Sequence, residues 1–260
     1  MNNRDKFFHD CIVLDTETTD LDYKIAEVIE LGYILTIDGE RVRVNSLYKP
    51  HDLITPEISS ITNITQRMVN DCDYFEDDFD TFTSVIAAYS KDAFCVAHNA
   101  FYDSKVLSRY GFEHDPWICT LRIAKKLFSD DNTVSNFKLA YLRYRFGILD
   151  PAEHTIEAHR ADSDALVTSH LLEYFVTLME DNGTIDKDLP YLEQIIEWLD
   201  KPIVFTQMPF GKHKGKKLTE VPLDYWKWAL DKMDILDETK ENYDADFAAS
   251  VEVALTELMG

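Results

Sequence analysis

The sequence predicts an α/β fold, a mixed β-sheet flanked by helices, followed by a small basic C-terminal module. Three observations lead there. Residues 11–16 (CIVLDT) form a short apolar run that ends in polar residues, the pattern of a buried strand. Two further apolar runs flank Asp38-Gly39, a tight-turn dipeptide that marks a hairpin. Helical and strand patterns then alternate until a polar stretch, after which the chain becomes rich in lysine, glycine and tryptophan.

Taken in order, residues 28–37 and 41–48 are the hairpin strands. Residues 79–89 read as a helix, with Phe79, Phe82, Val85, Ile86 and Tyr89 on one face. The acids Glu76, Asp77 and Asp78 before it read as a solvated helix start. A short strand follows at 94–97 and a helix at 101–110, with Asn99 placed to cap that helix through its side chain. Further helices fall at 121–128 and at 136–146, the second stopped by Gly147. Residues 162–179 make the longest helix. The polar segment 181–188 (DNGTIDKD) marks a boundary, and a short helix at 191–199 follows it. The expected organisation is a catalytic domain over 1–182, a linker with that helix over 183–202, and the module over 203–260. Its last part, 233–260, reads as an amphipathic helix pair or a partly ordered tail.

With 45% hydrophobic and 12% aromatic residues, the 260-residue chain can bury a substantial core. No apolar run approaches the ~20 residues of a membrane span, and the N-terminus lacks the apolar core and cleavage site of a secretory signal. The four cysteines are scattered without a Cys-x-x-Cys pair, which excludes a zinc ribbon and a disulfide framework and leaves buried thiols in a reducing cytoplasm. The formal net charge of −22 argues against a nucleic-acid partner at first sight. It does not veto one: carboxylates that hold cations are neutralised locally, and between Lys201 and Lys232 seven lysines face three acids, a balance of +4.

The chemistry-bearing residues come in three groups. Asp15 and Glu17 stand at the C-terminal end of the first strand, where ligands bind in α/β sheets, and residues two apart in a strand point the same way. Two carboxylates leaving an apolar strand need a cation or partner, although on their own they fit a solvated strand end as well. Asp103 follows the 94–97 strand on the first turn of the next helix; alone, it fits a simple complement to the helix dipole. His159 precedes the longest helix, and Asp164 lies on that helix's first turn. Phosphodiester hydrolysis gives the combination a purpose. Two divalent ions ~3.5–4 Å apart clamp the attacking and leaving oxygens. Oxygen ligands suit Mg²⁺ or Mn²⁺, and a loop histidine suits a general base. Asp162 reads as a helix N-terminal acid, and His98 and His154 as structural or exposed.

The order Asp15-x-Glu17, Asn99-x-x-x-Asp103, His159-x-x-x-x-Asp164 resembles the DEDD exonucleases of the DnaQ-like, RNase H-like superfamily. The five-residue step to Asp164 is that of the histidine subgroup; the tyrosine subgroup would need Tyr where Arg160 stands. The surrounding Leu14-Asp15-Thr16-Glu17-Thr18-Thr19, Ala97-His98-Asn99-Ala100 and His159-Arg160-Ala161 are similar to the family's motifs, and the resemblance spans roughly 12–179. It implies an RNase H-like sheet and 3′→5′ exonuclease activity. Asp15, Glu17, Asp103 and Asp164 would be ligands to two divalent cations, with His159 as the base and Thr18, Thr19 and Asn99 near the terminal nucleotide. Two departures bear on substrate seating: Thr62-Asn63-Ile64-Thr65 replaces a His-Gly-Ile-Thr-like segment, and Cys119-Thr120 replaces Asp-Thr.

The run 209–218 (PFGKHKGKKL) places Lys212, Lys214, Lys216 and Lys217 among glycines and just before Tyr225, Trp226 and Trp228. The lysines read as phosphate contacts and the aromatics as a small core after a glycine-rich turn. The spacing is not that of a P-loop. Residues 210–228 resemble the small C-terminal domain that follows the nuclease domain in exonuclease X-like proteins, which favours DNA over RNA as the partner and substrate. The resemblance also raises a homodimer. No motif identifies a replication or repair partner. The rival readings are an exoribonuclease with the same site and a nucleic-acid-binding adaptor with a vestigial one.

Overall fold

A short helix, α1 (Asn3–Asp10), runs directly into β1 (Cys11–Thr18), the strand that organises everything after it. The structure is a computed structural model that describes residues 1–131, 133–149 and 159–259. These residues fall into two compact units: Met1–Ile123 with Asn136–Ile196, and Ala124–Ser135 with Glu197–Gly260.

In the first unit, β2 (Val28–Ile37) and β3 (Glu40–Leu47) form the expected hairpin, with Asp38 and Gly39 both at positive φ (53° and 82°) in the turn. Two short helices follow, α2 (Pro56–Thr62) and α3 (Gln66–Val69), and then the long α4 (Phe75–Tyr89). The chain continues through β4 (Phe94–Ala97), α5 (Ala100–Ser108), β5 (Trp117–Cys119), α6 (Thr120–Phe128), α7 (Leu139–Arg145) and α8 (Ala161–Asp181) to α9 (Tyr191–Asp200); α6 from Ala124 and α9 from Glu197 belong to the second unit. The strand order is β3-β2-β1-β4-β5. β1 pairs antiparallel with β2 and parallel with β4, and β5 pairs parallel with β4, so the sheet is mixed as the sequence predicts. The helices bury its apolar faces: Ile12, Leu14, Leu31, Tyr33, Phe75, Phe82 and Leu107 belong to one continuous core.

Several elements lie outside the sequence reading, each for a physical reason. α1 buries only Phe7 and Asp10 and carries no apolar period. β5 has three residues, too few to show alternation. α2 had a local signal, since Thr55 caps it through its hydroxyl and Pro56 opens it. α4 starts one turn earlier than expected, which puts Glu76, Asp77 and Asp78 inside its first turn. α7 is shorter than 136–146 because the Asn136 side chain accepts from the Lys138 amide (3.1 Å), a local bond that competes with helix. Asn99 does stand at the start of α5, yet its side chain makes no cap bond; its backbone is left-handed (φ 77°), which turns the amide away. Of the cysteines, Cys11 and Cys95 are buried while Cys72 and Cys119 are partly exposed, all free thiols. His154 lies outside the described residues.

α8, at 21 residues, is held at both ends. Near its C-terminus Glu180 accepts from Arg4 Nη1 and from the Tyr191 hydroxyl, each at 2.7 Å. At its N-terminus it rests on β2 through Gly32, where an added Cβ would come within 2.0 Å of the Asp162 amide nitrogen and 2.2 Å of the Ala161 carbonyl carbon. Only glycine admits so close a backbone approach.

The second unit has its own core of Met208, Leu218, Val221, Trp226, Ala229, Phe247, Val251 and Ala254. Residues 206–218 double back as a short hairpin: Met208 donates to the Lys216 carbonyl and Leu218 to the Thr206 carbonyl, both at 2.8 Å. Its tip turns at Gly211 and Gly215, both at positive φ. Two helices complete it, α10 (Leu223–Lys232) and α11 (Ala245–Met259). The closing stretch is thus a 3-10 turn (Asp234–Leu236), an irregular segment and the single helix α11, packed through Phe247, Val251 and Ala254, rather than a helix pair. Within the same unit Asp130 accepts from the Thr206 hydroxyl (3.0 Å), tying in the 124–135 segment.

Candidate active site

The parallel pairing of β1 with β4 aligns Val13 with Val96, so both strands end at the same edge of the sheet. Asp15 and Glu17 leave β1 there. The chain turns after β4 and brings the first turn of α5 over that edge, where Asp103 is buried at 4% exposure. Its Oδ1 accepts from the Thr16 amide (3.1 Å) and the Thr16 hydroxyl (2.8 Å). Asp103 is therefore held by β1 itself and is more than a complement to the helix dipole.

From the other side α8 delivers Asp164 on its first turn, immediately after His159. Ligand atoms of Glu17, His159 and Asp164 all lie within 4.8 Å of one another. His159 is exposed and its backbone is left-handed (φ 61°), an uncommon conformation for a residue other than glycine, although histidine is among those enriched there. Asp162, on the same turn, accepts from Arg43 Nε at 3.1 Å, in keeping with its reading as a helix N-terminal acid. His98 is structural: its Nε2 donates to the Phe137 carbonyl at 2.8 Å.

The electrostatics of the cluster are those of acids buried beside one another. Burial holds Asp15 well above the usual carboxylate range, and the charges of Asp103, Asp164, Glu17 and Glu30 push it further. Burial and then Asp164, Glu30 and Asp103 raise Glu17 to about 8. Burial raises Asp103 to about 7 against the pull of the Thr16 hydrogen bonds. Asp164 rises to about 6, burial outweighing the His159 charge, a backbone hydrogen bond from His159 and the Arg143 charge. Carboxylates so placed ionise at neutral pH once cations neutralise them. A set of oxygen donors with one imidazole fits hard divalent ions.

Three residues that sequence reading passed over build the frame of this cluster. Glu30 sits on β2 directly across from Glu17, with no exposure at all. Its Oε1 accepts from Arg160 Nε and Asn45 Nδ2, each at 2.7 Å, and is ion-paired with Arg160 Nη2 at 2.7 Å; its Oε2 accepts from the Ala161 amide at 2.9 Å. Gly32, across from Asp15, opens the space into which the Ala161–Asp162 backbone settles. Glu30, Arg160 and Gly32 together fix where α8 begins and hence where Asp164 and His159 stand. The signal was present in the run 28–37, VIELGYILTI: an acid and a glycine inside an otherwise apolar strand.

The other expected contact residues are placed as follows. The Thr18 hydroxyl lies 2.5 Å from the Tyr102 hydroxyl, and both reach the Asp20 carbonyl. Thr19 Oγ1 accepts from the Glu27 amide at 2.9 Å. Both threonine side chains are thus engaged in shaping the loop after β1. Asn99 is exposed at the rim. Lys212, Lys214, Lys216 and Lys217 are all exposed in the second unit.

A sequence profile of the family described as "Exonuclease" matches residues 12–172, and one described as "Putative quorum-sensing-regulated virulence factor" matches residues 197–233. Exodeoxyribonuclease 10 of Escherichia coli K12 is 30% identical over 226 residues, covering 85% of this chain and 91% of its own. DNA polymerase III PolC-type of Thermotoga petrophila is 33% identical over 222 residues, 82% of this chain but only 15% of that much longer one. Among solved structures, exonuclease X in complex with 5′ overhanging duplex DNA is 26% identical, covers 73% of this chain and 99% of its own, and superposes with a TM-score of 0.52. Cell-death related nuclease 4, at 16% identity, covers 65% of this chain and 64% of its own with a TM-score of 0.51, and shares the fold. With its mixed five-strand sheet and the acid cluster at the strand ends, the chain belongs to the DnaQ-like 3′→5′ exonucleases of RNase H-like fold, a family that depends on divalent metal. Among the described residues no helix is long and apolar enough to cross a membrane.

Proposed function

We propose that this exonuclease removes nucleotides one at a time from the 3′ end of DNA, preferring single strands and releasing nucleoside 5′-monophosphates. The observation that carries the reading is the convergence of Glu17, His159 and Asp164 within 4.8 Å beside the buried Asp15 and Asp103. Asp15, Glu17, Asp103 and Asp164 would hold two divalent cations, Mg²⁺ or Mn²⁺. Such ions, when bound, stabilise charge on the attacking and leaving oxygens of an in-line displacement.

The chain's own groups do the rest. His159 takes a proton from the attacking water, whose oxygen forms the new bond to phosphorus as the bond to the 3′ oxygen of the preceding nucleotide breaks; that oxygen leaves with the bonding pair and takes a proton from solvent to become the new 3′ hydroxyl. Being exposed, the imidazole returns that proton to solvent between turnovers. Asp164, which receives a backbone hydrogen bond from His159, places a carboxylate where it stabilises the imidazolium formed in that step. Thr18, Thr19 and Asn99 shape the seat of the terminal nucleotide, and Lys212, Lys214, Lys216 and Lys217 attract the phosphate backbone. In this reading residues 1–182 are the catalytic domain, 183–202 the linker and 203–260 a nucleic-acid-binding module. DNA is favoured over RNA because the relative that aligns over 91% of its own length is named an exodeoxyribonuclease, and because the exonuclease X structure contains DNA.

Digestion of matched 5′-labelled DNA and RNA oligonucleotides with Mg²⁺, Mn²⁺ or chelator tests the proposal. It expects a metal-dependent ladder shortening from the 3′ end, faster on DNA. Faster loss of RNA would reverse the substrate assignment. A ladder unaffected by chelator would remove the metal mechanism.

A further inference from the structure

The two tryptophans of α10 have opposite environments. Trp226 is 1% exposed in the core of the second unit and donates from Nε1 to the Leu218 carbonyl at 3.2 Å. Trp228, two residues on, is 52% exposed, so the expected aromatic core accounts for the first indole but leaves the second unexplained. Trp228 stands 5.4 Å from the Tyr225 ring, and the two help line an open cleft of about 700 Å³ shared with Lys212 and His213.

An ammonium and an imidazole flank this aromatic pair. Lys212 Nζ sits 5.0 Å over the Tyr225 ring, and the His213 imidazole packs edge-on against it at 4.7 Å. Among the described residues neither ring nitrogen of His213 has a hydrogen-bond partner, although both are shielded from solvent. Lys216 belongs to the same turn, its amide donating to the His213 carbonyl at 3.0 Å, and desolvation, then the charges of Lys212 and Lys216, push the His213 pKa down. The acid at the rim, Asp224, is engaged by Lys227 at 3.6 Å. A flat exposed indole, a second ring beside it and lysine ammoniums around them are what a single strand requires: π-faces for its bases and cations for its phosphates.

We propose that this cleft is a single-strand nucleic-acid site, with a base stacked on Trp228 and Tyr225 and the adjoining phosphates held by Lys212 and Lys216. The site is built within the second unit and involves none of the proposed catalytic residues. It rests on the proposed function in taking nucleic acid as the ligand and Lys212 and Lys216 as phosphate contacts, and adds the aromatic platform.

The test uses the full chain in chelator, where the proposed chemistry is silent, and a fluorescein-labelled oligothymidylate twelve nucleotides long read by anisotropy. Trp228→Ala weakens binding on the order of tenfold, since one base–aromatic stack is lost. Trp228→Phe restores most of the affinity but removes the quenching of tryptophan fluorescence that the oligonucleotide causes in the unmodified chain. Each phosphate contact adds about 0.7 to the slope of log K against log salt for a single strand, so Lys212→Gln with Lys216→Gln flattens it by about 1.4. Unchanged affinity in Trp228→Ala, or identical quenching in Trp228→Phe, would overturn the stacking. An unchanged salt slope in the lysine pair would overturn the phosphate contacts and leave the surface to a protein partner. Loss of anisotropy over time in chelator would report cleavage without metal, a failure of the catalytic reading that leaves these binding outcomes distinct.

Discussion

Glu17 and Glu30 face each other across β1 and β2, two register pairs along from Asp15 and Gly32, and they have opposite fates. Glu30 is fully buried and surrounded by donors from Arg160, Asn45 and Ala161. Glu17 meets burial and the charges of Asp164, Glu30 and Asp103, and its carboxyl rises to about 8. Two residues of the same type on adjacent strands thus serve different purposes. What separates them is which partners the fold supplies: a carboxylate given its hydrogen bonds is structural, and one denied them is available to a ligand.

That contrast can be broken from either side. The largest effect is expected from Asp15→Ala, which should lower turnover by on the order of 10³-fold or more if Asp15 is one of the residues that would hold the cations. Its unfolding transition should stay within error of the parent's or move upward in chelator, because a buried acid under repulsion is removed. A folded variant with full activity would sink the catalytic assignment. Glu30→Ala works from the other side. It strands Arg160 and the Ala161 amide and should cost about 3 kcal/mol in urea unfolding. Glu30→Gln, which keeps an acceptor, should lose clearly less, and equal losses would mean that the donors around Glu30 contribute little.

Gly32→Ala probes the same frame without touching a charge. Its methyl would overlap the Ala161–Asp162 backbone, so a loss of about 2–3 kcal/mol is expected from overpacking, with activity falling as Asp164 moves. Parent-like stability would show that α8 can shift freely. The smallest effect is that of pH on the metal-free chain. Between its ordinary value of 4.5 and its raised value of about 8, Glu17 holds its proton in the folded state and has lost it in the unfolded one. The folded state then binds more protons, so this stability is complete below about 4.5 and is lost as pH rises through about 8. In chelator the melting temperature should fall over that window, less so in Glu17→Gln, and Mn²⁺ at the upper end should restore it. A profile that Glu17→Gln leaves unchanged would assign the pH dependence to other groups.

How much of this was readable beforehand follows from the range of the interactions. The strands β1, β2, β3 and β4 were legible because their apolar runs and the Asp-Gly turn are local. Asp15, Glu17, Asp103, His159 and Asp164 were legible because acids and a histidine at strand ends and helix starts advertise their chemistry. Glu30, Arg160 and Gly32 were not, because what each does depends on a partner more than a hundred residues away, as the contact of Glu30 with Ala161 shows. α1 and β5 escaped because one lacks an apolar period and the other is three residues long. The difference between Trp226 and Trp228 was hidden for a related reason: spacing suggests that both lie near the core, but only the packing of α10 decides which one enters it.

The doubly pinned α8 has one more consequence. A helix advances ~1.5 Å per residue, so its two fixed ends make it a gauge of set length. Arg4 and Tyr191 clasp Glu180 at one end, while Glu30 and the Gly32 gap stop the other. Adding or deleting a single residue between Asp164 and Glu180 would rotate one end by about 100° relative to the other, and no sliding could satisfy both. The acid cluster is thereby calibrated by a distance marked off at the far end of the helix, where no chemistry occurs.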